Sequence, residues 1–466
     1  MQRSLPLIAL VFISLICNAQ NQLGLHTGNY MGVTALGHNP AFFAASPLIW
    51  DAQLLSGGTF VETDYVFIHH SNVSHLLTTS KSIERFIPEV HLQMSDQHLY
   101  YQFVEGQKPM RHNVNAFAGT PAFATRINHK WSAGFYVKMR QAFSVENQDP
   151  ELSLPILEAW QIPTTKNIAP TNAVGMVWSE YALNIAHTTK ISGKSLSIGL
   201  NTKLLVGHQG LYVHSPDHLN ITKLYDHFMA GEANVEYAFT YLDEEFNLNA
   251  NGLGLGIDIG VVFSEQDGDH PWRLSAAITD LGAVNFTKHG ERHYIRTETN
   301  AIIPEPTFDN VNNIREFAAA LSNSIYNNPS ATLQGNDFGI LTPAGFNFNF
   351  DMQIANNVFF NGSAVRKFVV NPRQLHKENY LATSIRYETS FLEIGLPFVL
   401  YQNNDFRPGA WVRVGPVTIG SDHVGSLFFK QKQLSGSDIY FAIKLNNLNL
   451  KSRDKNRNNP EDCFWQ

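Results

Sequence analysis

The sequence predicts an all-β protein: a closed antiparallel transmembrane β-barrel of about 14 strands with a small N-terminal lumenal plug and long outer loops. Three observations lead to this prediction. The chain begins with an export pattern, it repeats segments in which apolar and polar residues alternate, and short and long connections separate those segments in turn. Together these features are typical of outer-membrane barrels of Gram-negative bacteria.

Residues 1–19 have the pattern of a secretory signal peptide. Arg3 precedes an apolar run over 5–16, and the small residue Ala19 follows. We expect cleavage after Ala19, because the run is shorter than the roughly 20 residues that a membrane-spanning helix needs. An uncleaved anchor helix is the alternative.

Composition excludes several classes of protein. After cleavage only Cys463 would remain, so we expect no intrachain disulfide and no cysteine-based zinc site. Charged residues make up 16% of the chain, whereas globular domains average about 25%. The net charge of -7 argues against a nucleic-acid partner. No later apolar run is long enough for a membrane helix, so the expected contact is outer-membrane lipid through strands.

The alternation is clearest in two stretches. In GLGLGIDIGVVF, large apolar residues occupy one face of an extended strand, and glycines and Asp258 occupy the other. In AGFNFNFDMQI, phenylalanines alternate with Asn347, Asn349 and Asp351. We expect the apolar faces to contact lipid and the polar faces to line the lumen.

The connections give the strand number. Short joins lie at 127–130, 191–194, 264–271, 354–357, 387–390 and 414–416, and longer ones lie between them. The predicted strands are 50–62, 112–127, 130–145, 176–190, 194–208, 252–263, 272–286, 341–354, 357–369, 379–387, 390–401, 407–414, 416–422 and 437–449. All short joins then fall on the periplasmic side, with both termini. The strand-like segment 234–246 would break this alternation, so we assign it to a flap in the third outer loop.

This organisation divides the chain into four parts. Residues 1–19 are the signal peptide, 20–49 the plug, 50–449 the barrel, and 450–466 a polar periplasmic tail.

A plug is predicted because a barrel of 14 strands is too wide for its wall side chains to fill, and because alternate glycines in a strand indicate close approach of another segment. Asn39 is a good N-cap and Pro40 suits the first helical position, so NPAFFAA is predicted to begin a short helix.

We expect Asp258 to accept hydrogen bonds from plug amides. Contact with a substrate is the alternative.

The fourth outer loop contains a predicted amphipathic helix, in which Ile314, Phe317 and Leu321 share one face. This face either packs on the loop's own cap or binds a partner, since long loops often carry function.

The motifs of the common catalytic sites are missing from the sequence. It has no GxSxG elbow, HExxH pair or P-loop, and the loop histidines lack the spacing of metal ligands. We therefore expect no enzyme, no catalytic residues, no metal and no cofactor.

Several motifs carry a family resemblance. The segments NPA, GLGIDIGVVF with LSAAITDLGAVNF, and PGAWVRVGPVTIGSD resemble the FadL/PorV-like superfamily of outer-membrane barrels. Within it, NQLGLHTGNY and GTPAFATRINHKWSAGFYVKMR are most similar to a Bacteroidota-type family of uncharacterised barrel proteins.

The resemblance implies two functions. PorV-type members belong to the type IX secretion system and bind other proteins, and a protein-binding or secretion-associated envelope component is the preferred expectation. FadL-type members are channels for uptake of hydrophobic small molecules through a lateral opening in the wall. Here such an opening is expected at Pro121, because proline cannot donate to the strand ladder.

Overall fold

In the computed structural model, the described residues are 22–78, 82–86, 98–104, 108–152, 161–225, 227–241, 248–297, 300–308, 311–402 and 405–447. The predicted signal peptide (1–19) and polar tail (450–466) lie outside them. They therefore remain predictions.

Fourteen antiparallel strands form a closed barrel, as predicted. Neighbouring strands pair in chain order, and the last pairs with the first through Asp51↔Asn446 to Glu62↔Gly436. The strands are β1 Trp50–Thr63, β2 Met110–Arg126, β3 Trp131–Gln148, β4 Thr171–Ile191, β5 Lys194–Ser215, β6 Gly252–Glu265, β7 Trp272–Phe286, β8 Phe338–Leu341 with Gly345–Ala355, β9 Val358–Lys367, β10 Tyr380–Glu388, β11 Leu392–Tyr401, β12 Asp405–Pro408 with Ala410–Val414, β13 Val417–Ser421 and β14 Gly436–Asn446.

The two faces of the wall differ as the alternation predicts. In β6, Leu253 and Leu255 are 61% and 73% exposed, whereas Asp258 is fully buried. In β8, Phe348 is 50% exposed and its neighbour Asn347 is buried. Apolar side chains therefore cover the outside of a cylinder whose backbone groups pair around the ring, which is the arrangement that a lipid bilayer requires.

The connections also follow the predicted alternation. Six short connections lie at one end of the barrel, here called the turn end: 127–130, 192–193, 266–271, 356–357, 389–391 and 415–416. The remaining connections lie at the opposite, loop end, and one of them (402–404) is itself short.

The loops of the loop end contain further β-structure. One four-stranded sheet joins the first and last loops, in the order Gln431–Leu434, Val66–Ser71, His98–Phe103 and Ser82–Arg85. A second sheet joins the second, third and fourth loops, in the order Ala301–Pro304, His227–Gly231, Leu219–Lys223 and Thr164–Ile168.

A third group of strands extends the wall itself and is here called the wall extension. Asn234–Thr240 pairs with the loop-end part of β5 and with Gly290–Arg296, which in turn pairs with Leu333–Gly335. The described part of the predicted flap, residues 234–241, therefore lies outside the fourteen strands, and its strand pairs with the fourth loop and with β5.

Helices are few and short in the described part of the chain. They are α1 Leu23–His26, α2 Val73–Thr78, α3 Ile314–Tyr326 and α4 Val424–Phe428, with 3-10 turns at Gly32–Ala35, Pro150–Leu152 and Glu305–Phe308. Among the described residues, no helix has the length and apolar character needed to cross a bilayer.

Candidate functional site

The residues before β1 lie against the inward face of the wall. In this N-terminal segment, defined here as residues 22–48, the side chains of Leu36, Phe42, Phe43 and Leu48 are fully buried. Inward asparagines of the wall hold its carbonyl groups. Their side-chain nitrogens donate to the segment over 2.7 to 2.9 Å, in the pairs Asn184–Pro40, Asn201–Leu36 and Asn347–His38.

Two wall glycines make room for this segment. A Cβ atom on Gly260 would overlap the side chain of Asn39, and one on Gly199 would overlap the backbone of Pro40. The close approach inferred from the glycine pattern is therefore present at Gly260. At Gly254 the crowding comes instead from the neighbouring strand, because a Cβ there would meet the carbonyl of Ala283.

The predicted short helix at NPAFFAA is wrong. The segment forms successive turns, with Phe42 N donating to Asn39 O and Ala45 N to Phe42 O. The Pro40 carbonyl accepts from Asn184 of the wall instead of from a helical amide. Asn39 does cap the local turn, since its Oδ1 accepts from Ala41 N at 2.9 Å. Its Nδ2 donates to the wall carbonyls of Val261 and Ala276.

Behind the segment lies a buried ionic group, here called the central cluster. Three cations alternate with three carboxylates on strands β3 to β7 and the loop after β9: Arg140, Lys203 and Lys377 with Glu180, Asp258 and Asp280. Lys203 Nζ lies 2.8 Å from carboxylate oxygens of both Asp258 and Asp280. Arg140 Nη1 lies 2.8 Å from both Glu180 and Asp280. Because the charges balance, the cluster can remain ionised away from water.

Asp258 is inward and buried, but its partners differ from those predicted. Its oxygens accept from the Asn201 side chain at 2.8 Å and from the backbone N of Asp280 at 2.7 Å. Amides of the N-terminal segment do not reach it, because Asn201 lies between them and donates also to Leu36 O.

A second ionic group lies near the turn end. Asp351 is buried, and its carboxylate accepts hydrogen bonds from both terminal nitrogens of Arg386. The Nε of Arg386 lies 2.7 Å from the carboxylate of Glu388. Glu388 also accepts from the backbone N of Asn29 at 2.7 Å, which attaches the N-terminal segment to this end. Asn349 lies beside the group, and its Oδ1 accepts from Asn361 at 3.2 Å.

Two small neighbouring cavities lie beside the N-terminal segment. The larger, of about 80 Å³, has a largely polar lining that includes His26, His38, Lys138, Lys377 and Glu378. The smaller, of about 20 Å³, reaches the wall at Gln53, Ser56 and Ala122. Both share Gln22, Thr34, Gly37, Phe117 and Lys138 in their linings.

Burial alters the ionisation of groups around the larger cavity. The rings of His26 and His38 stack with centroids 4.6 Å apart. Burial, reinforced by Lys377 and Lys138, lowers the pKa of His38 to about 3, and burial with the adjacent His38 lowers the pKa of His26. Both rings are therefore neutral at neutral pH. Burial raises the pKa of Glu378 to about 7.

Strand pairing is interrupted where the smaller cavity reaches the wall. Between β1 and β2 the register runs from Gln53↔Ala122 to Ser56↔Gly119 without a pair for Leu54 or Leu55. The pairing of β2 with β3 shifts register at the same place, around Pro121. Leu54 and Leu55 are exposed on the outer face. The interruption predicted at Pro121 is therefore present in the ladder.

The predicted amphipathic helix is α3, and its apolar face divides in two. Leu321 and Ile325 pack with Ala318 on the wall extension, against Tyr237 and Ile295. Ile314 and Phe317 are 40% and 42% exposed. The helix therefore does pack on its own cap, and it leaves two large apolar side chains accessible.

Several inward charged residues escaped sequence reasoning: Arg140, Glu180, Lys203, Asp280, Arg386 and Glu388. Arg140, Glu180, Lys203 and Arg386 lie at inward positions of predicted strands, so strand parity could have identified them as lumenal. Asp280 lies at a shift of register, and Glu388 lies in a predicted short join, so parity could not have identified these two. Parity does not say which of them pair, because Lys203 and Asp280 lie on β5 and β7, separated by β6.

The fold defines the class of this protein. A closed fourteen-strand antiparallel barrel with an apolar exterior is the architecture of an outer-membrane β-barrel protein. The chain belongs to the family described as "Family of unknown function (DUF5723)", whose model matches residues 73–422, more than half of its length.

Three solved structures illustrate the likeness to known barrels. The CymD monoaromatic hydrocarbon channel is 9% identical, with 92% of this chain and 96% of that chain covered and a TM-score of 0.33. The toluene transporter TodX of Pseudomonas putida is 10% identical, with the same coverage and a TM-score of 0.34. A FadL homologue of Pseudomonas aeruginosa is 8% identical, with 91% and 96% covered and a TM-score of 0.30. No curated protein matches the sequence.

Proposed function

We propose that this protein is a non-enzymatic outer-membrane channel for hydrophobic small molecules, plugged by its N-terminal segment and open laterally through the wall near Pro121. The observation that supports the lateral route most directly is the interrupted pairing of β1 with β2 beside the smaller cavity. In this proposal the loop end faces outward and the turn end faces the periplasm.

The chemistry of the interruption suits an apolar molecule on its way to the bilayer. Leu54, Leu55 and Pro121 face outward, and Leu25, Val33, Phe117 and Ala122 contribute apolar surface behind them. A cavity of about 20 Å³ is too small for such a molecule, so passage requires the N-terminal segment to shift. The segment is held by hydrogen bonds to wall asparagines and carboxylates and by packing of Leu36, Phe43 and Leu48, so a shift has to break these contacts.

Uptake of a hydrophobic fluorescent probe tests this channel. We expect cells that express the full chain to take up N-phenyl-1-naphthylamine faster than cells with an empty vector. Pro121→Thr restores a backbone donor to the ladder and should reduce the rate by at least half. Pro416→Thr, in a turn-end connection, is the matched control and should leave the rate unchanged. Equal uptake by expressing and empty-vector cells would refute the proposal.

The second candidate is a protein-binding or secretion-associated component of the envelope, of the PorV type. It is favoured by the exposed Ile314 and Phe317 on α3, next to the sheet built from the second, third and fourth loops. In this case affinity purification in mild detergent should recover a stoichiometric envelope protein. Ile314→Ser with Phe317→Ser should abolish that recovery, whereas Leu77→Ser, another exposed apolar position, should not. Repeated recovery of the barrel alone would contradict this candidate.

A further inference from the structure

We propose that the larger cavity is a binding site for a small anion, such as phosphate, sulfate or a short carboxylate, with Lys138 as its principal ligand. This site adjoins the smaller cavity near Pro121, whose lining also includes Lys138, but it does not depend on passage of hydrophobic molecules.

Lys138 is an inward lysine without a charged partner among the described residues. Its Nζ lies 4.8 Å from the ring centroid of Phe117 and 5.9 Å from that of Tyr136. No described carboxylate forms an ion pair with it, and no described group is hydrogen-bonded to it. A buried ammonium group normally has an anionic or hydrogen-bonding partner. A π face supplies only part of that stabilisation.

The neighbouring charges do not neutralise Lys138. In the central cluster, three cations are matched by three carboxylates, so Lys138 is a fourth cation beside a balanced group. Glu378 lines the same cavity, but burial raises the pKa of this carboxyl to about 7. Below neutral pH it is largely protonated and offers a donor in place of a negative charge. The cavity therefore carries a net positive charge.

The other groups of the lining suit an anion as well. Lys377 and Arg140 line the cavity together with Asp280, to which they pair at 3.2 and 2.8 Å, so these three groups add one net positive charge to the lining. His26 Nδ1 is buried and has no hydrogen-bond partner among the described residues. A neutral imidazole can direct an N–H toward a bound oxygen.

The size of the cavity limits the ligand. A volume of about 80 Å³ has room for roughly five to eight water molecules. A tetrahedral oxyanion or a short carboxylate with a few waters fits this space, and a nucleotide or a sugar phosphate does not.

Calorimetry on the full-length protein in detergent tests the site. Sodium phosphate is titrated at pH 6.5 and constant ionic strength, maintained with gluconate, which is too large for the cavity. We expect one bound phosphate per barrel. Lys138→Met should weaken binding at least tenfold, and Lys138→Arg should retain it. Lys432→Met, at an exposed position of the last loop, is the matched control and should bind as the unaltered protein does.

A second measurement tests the site in the unaltered protein, so it does not require Lys138→Met to fold. Crystals of the unaltered protein soaked in bromide should show an anomalous peak beside Lys138 Nζ. The proposal is overturned if phosphate does not bind, if folded Lys138→Met binds it as tightly as the unaltered protein, or if bromide leaves the cavity empty.

Discussion

The side chain of Asn39 lies directly against the backbone of Gly260, so closely that a Cβ atom at position 260 would overlap it. Asn39 Nδ2 also donates to the carbonyl of Val261, the next residue along the same strand, at 3.2 Å. The glycine in β6 and the asparagine in the N-terminal segment therefore fit as a pair, and this contact fixes the segment against the wall.

Gly260→Ala should loosen the N-terminal segment. The added methyl group must displace Asn39, and overpacking of this kind costs about 1–3 kcal/mol. We expect a lower thermal unfolding midpoint in detergent and a larger conductance in planar bilayers. Gly362→Ala is the control, because a Cβ atom on Gly362 meets nothing within 4 Å. Equal behaviour of the two variants would show that the segment does not depend on this contact.

Lys203→Met should destabilise the barrel strongly. Removing one member of a buried ionic group leaves the others uncompensated, which costs about 3–5 kcal/mol. The double variant Lys203→Met with Asp258→Asn restores the balance of charge in the central cluster, so we expect it to recover part of the lost stability. Thermal unfolding of both variants in the same detergent makes the comparison. A double variant less stable than the single one would argue against charge balance as the cause.

Glu378 should make the stability of the protein depend on pH. Burial raises its folded pKa from 4.5 to about 7, so between these values the folded state holds a proton that the unfolded state has released. Stability from this group is fully present below pH 4.5 and is lost as the pH rises through 7. Glu378→Gln should flatten this slope in unfolding midpoints measured from pH 4 to 8. A slope that persists unchanged in the variant would assign it to another group.

The two parts of the apolar face of α3 should respond differently to substitution. Leu321→Ser removes an apolar side chain that packs on the wall extension, and we expect the fourth loop to be cleaved faster by protease. Ile314→Ser changes an exposed position and should alter stability by no more than about 0.5 kcal/mol. Limited proteolysis of the purified barrel distinguishes them. Equal cleavage rates would mean that the helix is not anchored through Leu321.

Alternation along the chain was sufficient to predict the wall. The parity of Asn347, Asn349 and Asp351 placed all three inward, because successive side chains of a strand point to opposite faces. The short connections then established the strand number, since a hairpin with a short turn has few ways to form.

The same reasoning failed where contacts are made between distant parts of the chain. NPAFFAA begins with Asn39 and Pro40, which favour the start of a helix. The side-chain amide of Asn184 in the wall nevertheless donates to the Pro40 carbonyl, and the segment forms turns. Asp258 was recognised as an inward carboxylate, but Lys203 and Asp280 became its neighbours only through the register of three strands.

The sequence by itself determined which side of each strand meets lipid and how many strands close the cylinder, because both follow from local periodicity and turn length. Only the tertiary structure decided how the charges of the interior pair, and that Lys138 has no carboxylate partner among the residues that the structure describes. The physical reason is that inward side chains of a closed barrel meet across the lumen, at separations along the chain that no local pattern records.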